Sequence, residues 1–81
     1  MHVDVRYFAA ARETVGREAE SLVLEPGATV AALRALLFDL HPDLRALEAG
    51  LRFAIGERFA DAEAVLGDGD QVALIPPVSG G

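Results

Sequence analysis

The sequence predicts a single α+β domain, and three observations carry that prediction. Thr29 to Leu40 has the apolar period of an amphipathic helix, three short stretches alternate in period two as strands do, and 81 residues leave room for only one core. The order of elements is strand, strand, helix, strand, an optional short strand, strand.

His2 to Phe8 is the first strand, with Val3, Val5 and Tyr7 on one face and His2, Asp4, Arg6 and Phe8 on the other. Phe8 breaks the polar pattern of its face. Ala9 to Arg17 reads as a connecting loop with room for a helical turn through its three alanines. The second strand, Glu20 to Glu25, turns Leu22 and Leu24 inward and stops at Pro26-Gly27. Thr29 is a suitable N-cap for the helix, whose stripe is Val30, Leu33, Leu36, Leu37 and Leu40. Pro42 stops it, and Asp43 to Ala49 can add a further turn before Gly50.

Leu51 to Ile55 is the third strand, with Leu51, Phe53 and Ile55 alternating against Arg52 and Ala54; Gly56 to Phe59 is a turn with space for a very short strand. Gly67-Asp68-Gly69-Asp70 has hairpin-turn composition and leads into the last strand, Gln71 to Ile75, which is apolar on both faces. Pro76-Pro77 removes two backbone donors and favours an extended path, so the chain is expected to leave the sheet there. Residues 1–75 are therefore read as the folded domain and residues 76–81 as a flexible tail.

Composition excludes several functions. Seven Arg against thirteen Asp plus Glu give a net charge of −6, which repels phosphate backbones and anionic lipid, so nucleic acid and membrane are poor partners. No apolar run is long enough to span a bilayer and the amino terminus lacks a signal-peptide pattern, so the expected location is cytoplasmic. There is no Cys, hence no disulfide, thiolate ligand or side-chain persulfide, and no Lys, hence no side-chain Schiff base and no lysine-linked chains of itself. His2 and His41 lack neighbours at ligand spacing, Asp68 and Asp70 lack the remaining calcium ligands, and there is no phosphate loop or catalytic triad. No bound metal or intrinsic cofactor is expected. Residues 57–70 carry five acids and one Arg, a local net of −4; they form either a solvated face or a steering surface. Arg12-Glu13 is equally open, as a surface ion pair or a partner contact.

What remains is the carboxy terminus. Gly80-Gly81 puts an ionised carboxylate on an unbranched tether, slim enough to enter a narrow channel in a partner and able to attack an activated phosphate. It is a handle for chemistry performed by another protein.

These residues carry a resemblance that covers the whole chain. The ending Ala73-Leu74-Ile75-Pro76-Pro77-Val78-Ser79-Gly80-Gly81, the Gly69-Asp70-Gln71-Val72 entry to it, and the opening Val5-Arg6-Tyr7-Phe8-Ala9 with Arg12-Glu13 and Gly16 are similar to the β-grasp, ubiquitin-like sulfur carriers. Within them the chain resembles the small (sulfur carrier) subunits of molybdopterin synthase, or molybdopterin converting factor subunit 1. One departure is Gly56, where that family often has Asn.

The resemblance implies a β-grasp fold, a mixed sheet of four to five strands on one main helix. It implies that an E1-like adenylyltransferase uses ATP to adenylate Gly81, that a persulfide donor converts the acyl-adenylate to a thiocarboxylate, and that Pro76, Pro77, Val78, Ser79, Gly80 and Gly81 insert into a large catalytic subunit. There Gly81 gives its sulfur to a cyclic pyranopterin precursor, building the dithiolene of molybdopterin within a heterotetramer of two small and two large subunits. Catalytic side chains belong to the large subunit. Phe8 and Ile75 are expected to form an exposed apolar patch on adjacent parallel strands, and Phe59 matches a third family contact position for that subunit. The alternatives are a thiamine-pathway sulfur carrier, which is typically shorter and lacks the Pro-Pro-Val-Ser approach, and a ubiquitin-like protein modifier joined to target lysines through Gly81.

Overall fold

The structure, a computed structural model, describes residues 1–77. In chain order its elements are β1 (His2–Tyr7), α1 (Ala9–Val15), β2 (Ala19–Val23), α2 (Val30–Leu40), a 3-10 turn (Pro42–Leu47), β3 (Arg52–Ile55), β4 (Arg58–Ala60) and β5 (Gln71–Ile75). The strands form one five-stranded sheet in the order β2-β1-β5-β3-β4. β1 and β5 at its centre run parallel, with Val5 opposite Val72 and Tyr7 opposite Leu74. The other three pairings, β1 with β2, β5 with β3 and β3 with β4, are antiparallel.

Alternation decides which face of the sheet is buried. Val3, Val5, Tyr7, Val72 and Leu74 are buried on the same side, and Val30, Leu33, Leu37 and Phe38 of α2 join them in one cluster with Leu22, Leu44 and Phe53. Full burial of a leucine such as Leu33 or Leu37 stabilises the fold by roughly 1.5–3 kcal/mol over an exposed one. Thr29 caps α2 as expected: its hydroxyl accepts from Ala32 N at 3.3 Å. The loop before β5 serves the same helix end, since Val30 N donates to Ala64 O and Ala31 N to Ala62 O, each at 2.9 Å. Two amides with no partner inside the helix are satisfied in this way.

Three expectations change. The connecting loop expected after β1, with room for a helical turn through its alanines, is a full helix, α1, closed at Gly16, whose φ of +84° and N–H to Arg12 O form a left-handed C-cap. The helical core face includes Phe38, whereas Leu40 is exposed and Leu36 only partly buried. Phe38 is covered by the 3-10 turn folding back, with the Arg34 and Arg45 guanidinium carbons 4.9 and 5.0 Å from its ring centroid.

Residues 67–70 turn the chain as expected, but not within a hairpin, because β4 sits at the far edge beside β3. The turn is tied to β1 instead. Asp68 Oδ1 accepts from His2 N at 2.7 Å, Gly69 N donates to His2 O at 2.7 Å, and Asp70 Oδ2 accepts from Gly67 N at 2.7 Å. Both aspartates therefore shape backbone, and among the described residues no three His, Cys, Asp or Glu side chains converge as a metal-ligand set. No described helix is long and apolar enough to cross a membrane.

Candidate functional site

The sheet face opposite α2 carries the candidate site. β1 and β5 keep their parallel register up to Tyr7 and Leu74, so the residues that follow, Phe8 just past β1 and Ile75 at the end of β5, lie side by side. Across β5, Ala73 stands opposite Ala54, and across β3, Ala54 stands opposite Phe59. Two facing alanines leave a hollow between bulkier neighbours. Phe8, Phe59 and Ile75 wall it, Ala54 and Ala73 floor it, and Gly56 and Glu57 edge it, enclosing about 390 Å³.

The three residues singled out from the sequence thus meet in one depression. Phe8 is 48% and Phe59 58% exposed, while Ala54 beneath them is only 7% exposed. An exposed pair of aromatic rings beside a small-residue floor offers anchors and a matching hole to a partner's apolar side chains. Phe59 is also braced: the Arg52 guanidinium carbon lies 3.6 Å from its ring centroid. The planar cation shields one face of the ring and places charge at the edge of the apolar surface.

The carboxy-terminal segment starts at this edge. Arg52 pairs with Ile75 in the β3–β5 ladder, and Pro76 and Pro77 follow. Pro76 is buried and Pro77 exposed, so the segment's first residue packs on the domain before the chain continues. Val78, Ser79, Gly80 and Gly81 lie outside the described residues. Arg12, left open above, has its Nη1 3.9 Å from Glu18 Oε1, with both side chains exposed, an ion pair of little energetic weight. Glu13 takes part in no ion pair among the described residues.

A second cluster escaped the sequence. Glu20 on β2 accepts from Tyr7 Oη, from Arg17 Nη1 at 2.9 Å, and pairs with His41 Nε2 at 2.5 Å. The Tyr7 and His41 rings stand edge to face, 6.0 Å apart. Burial and the Glu20 carboxylate raise the Tyr7 hydroxyl well above its ordinary value, so it stays a proton donor. Burial alone would raise Glu20 too, but hydrogen bonds from Tyr7 and His41 outweigh it and hold the carboxyl below its usual range. The cluster clamps β1, β2 and the end of α2 together on the side away from the depression's floor. Nothing in the spacing of residues 7, 20 and 41 announces it; only the strand register does.

A mixed sheet of this order, with parallel central strands, one long helix across a single face and an apolar patch beside the carboxy-terminal strand, defines a ubiquitin-like β-grasp protein. Known proteins narrow the class. Residues 5–81 match the model of the ThiS family. The chain is 39% identical to the molybdopterin synthase sulfur carrier subunit of Chlamydomonas reinhardtii, with all of both chains covered. Among solved structures it is similar to SAMP1 from Haloferax volcanii, with a TM-score of 0.89, 26% identity and complete coverage of both chains. It is also similar to a chain in the complex of subunits 1 and 2 of the molybdopterin-converting factor from Helicobacter pylori 26695, with a TM-score of 0.73, 28% identity and complete coverage of both. The chain belongs to the ThiS family.

Proposed function

We propose that this chain is the sulfur-carrying small subunit of a molybdopterin synthase. The observation that carries the reading is positional: the Phe8–Phe59–Ile75 depression lies at the root of a segment ending Pro-Pro-Val-Ser-Gly-Gly, so one surface can dock while the terminus reaches beyond it. Full-length similarity to proteins named as sulfur carrier subunits of that synthase supports it.

In this reading an E1-like partner binds ATP and the chain itself binds no cofactor. A Gly81 carboxylate oxygen attacks the α-phosphate, pyrophosphate leaves, and the carbonyl becomes an acyl-adenylate. The terminal sulfur of a persulfide displaces AMP, and a thiol then releases the thiocarboxylate. Docking on the large catalytic subunit brings residues 76–81 to a pterin precursor, which takes the sulfur. Acid–base groups come from that subunit, and the absence of Cys keeps the carried sulfur at the terminus. Two small and two large subunits would make the assembly, in the cytoplasm, and neither nucleic acid nor membrane takes part.

Reconstitution tests this. The chain bearing a Gly81 thiocarboxylate, mixed with the large subunit and the pyranopterin precursor, should form the dithiolene in proportion to thiocarboxylate supplied. No product from a thiocarboxylated, folded chain would exclude the reading. Similarity to SAMP1, a small archaeal modifier protein, favours as second reading a modifier joined to lysines; isopeptide conjugates in place of dithiolene would support it. Association with a thiazole synthase would instead assign the chain to the thiamine pathway.

A further inference from the structure

Gly50 meets the carboxy-terminal segment in a way that sets it apart from the other described glycines. Arg52 stands opposite Ile75 in the antiparallel β3–β5 register. Continuing that count sets Leu51 against Pro76 and Gly50 against Pro77. Neither proline carries an N–H, so neither can donate to a ladder, and the two chains are held here by packing. A Cβ built on Gly50 would lie 2.9 Å from Pro77 Cβ and 3.4 Å from its Cγ. That is closer than carbon atoms tolerate, so Pro77 occupies space that any side chain at position 50 would claim.

The conformation of Gly50 does not by itself explain this. Gly16, Gly27 and Gly69 have φ of +84°, +85° and +84°, matching the +84° of Gly50, yet a Cβ on any of those three would meet nothing within 4 Å. Leu51 N donates to Glu48 O at 3.2 Å, which ties the loop that carries Gly50 to the preceding turn. Pro77 is exposed and lies past the end of β5, so a side chain at position 50 would displace Pro77 first.

We propose that Gly50 is a positioning residue for the carboxy-terminal segment: its bare backbone seats Pro77 and fixes the point from which residues 78–81 continue, relative to the Phe8–Phe59–Ile75 depression. The proposal rests on the sulfur-carrier reading above. With the domain docked through the depression, only four residues separate Pro77 from the reacting carbonyl of Gly81. A misplacement of about 1 Å at a reacting centre can cost on the order of 100-fold in rate. Filling the seat should therefore slow sulfur transfer while leaving docking intact.

The test is single-turnover sulfur transfer from the full-length thiocarboxylated chain to the pterin precursor on the large subunit, with the Kd of the complex measured in parallel. Three variants separate the contact from backbone strain. Gly50→Ala adds the clashing Cβ; Gly27→Ala carries the same φ strain into open space; D-alanine at position 50, introduced by chemical ligation, suits a positive φ and, by its inverted configuration, takes the Cβ out of the position that meets Pro77. The expected result is transfer at least about tenfold slower for Gly50→Ala at a Kd within about twofold of the parent, with Gly27→Ala and the D-alanine form transferring as the parent does. Equal transfer rates for Gly50→Ala and Gly27→Ala would overturn the proposal and leave the sulfur-carrier reading standing. So would docking lost in step with rate. A parent chain that docks on the large subunit but passes no sulfur would overturn both.

Discussion

Glu20 concentrates three donors from three parts of the chain: Tyr7 Oη, Arg17 Nη1 and His41 Nε2. Its carboxyl is held below the ordinary range, so folding favours the ionised form. The stability this contributes is fully present above the unfolded glutamate value, near ~4.3, and is lost as pH falls through the lower folded value. Glu20→Gln should therefore destabilise the protein at neutral pH by about 1–3 kcal/mol, since it weakens a charged set of hydrogen bonds of which those to Tyr7 and His41 are part-buried. The penalty should shrink as urea midpoints are followed down through the acid range, because the parent loses its advantage there. A penalty that stays constant with pH would show that the Glu20 charge carries none of the effect. The outward positions of Phe8 and Ile75 could be read from alternation, because burial on a strand has period two. The Glu20 cluster could not, because spacings of thirteen and twenty-one residues become contacts only once strand order and register exist.

The long helix was legible for a local reason: Thr29, an apolar stripe and Pro42 all act within a few residues of one another. Thr29→Ala should cost about 1 kcal/mol in urea unfolding, through loss of the bond to Ala32 N. The cost should not exceed that of a single cap, since Val30 N and Ala31 N are satisfied by the loop at residues 62–64 and not by Thr29. An unchanged midpoint would mean that water replaces the hydroxyl fully. The helix α1 was hidden because seven residues with one buried side chain, Ala11, and no side-chain cap at Phe8 leave almost no apolar period to detect. Its only strong local sign is Gly16, whose left-handed cap also suits a loop. Phe38 was missed for a different reason. Its burial depends on the 3-10 turn returning over it, a tertiary event that the helical wheel does not contain.

At the level of the molecule, the α+β class follows from periodicity, while the sheet order does not. A parallel pairing of the first and last strands joins residues almost seventy positions apart, as in Asp4 with Gln71, and its recognition came from the resemblance carried by both ends of the chain. That pairing creates the depression, and the depression separates folding from docking. Phe8 is half exposed and lies outside the core cluster, so Phe8→Asp should leave the unfolding midpoint nearly unchanged while abolishing a stable complex with the large subunit. A folded Phe8→Asp variant that still bound would remove the depression from the interface. The acidic segment is accounted for in part by architecture: Asp68 and Asp70 shape the turn into β5, while Asp61 and Glu63 remain exposed beside α2.

Sulfur carried at Gly81 changes the mass of one peptide. Trypsin cuts last after Arg58, and no Lys is present, so the peptide Phe59 to Gly81 reports the terminus alone. The direct measurement is the mass of that peptide after the full-length protein has been incubated with host extract and ATP. The expected result is replacement of one oxygen by sulfur, dependent on ATP. A peptide left unmodified where a known carrier is sulfurated, or one joined through Gly81 to a foreign lysine, would contradict it.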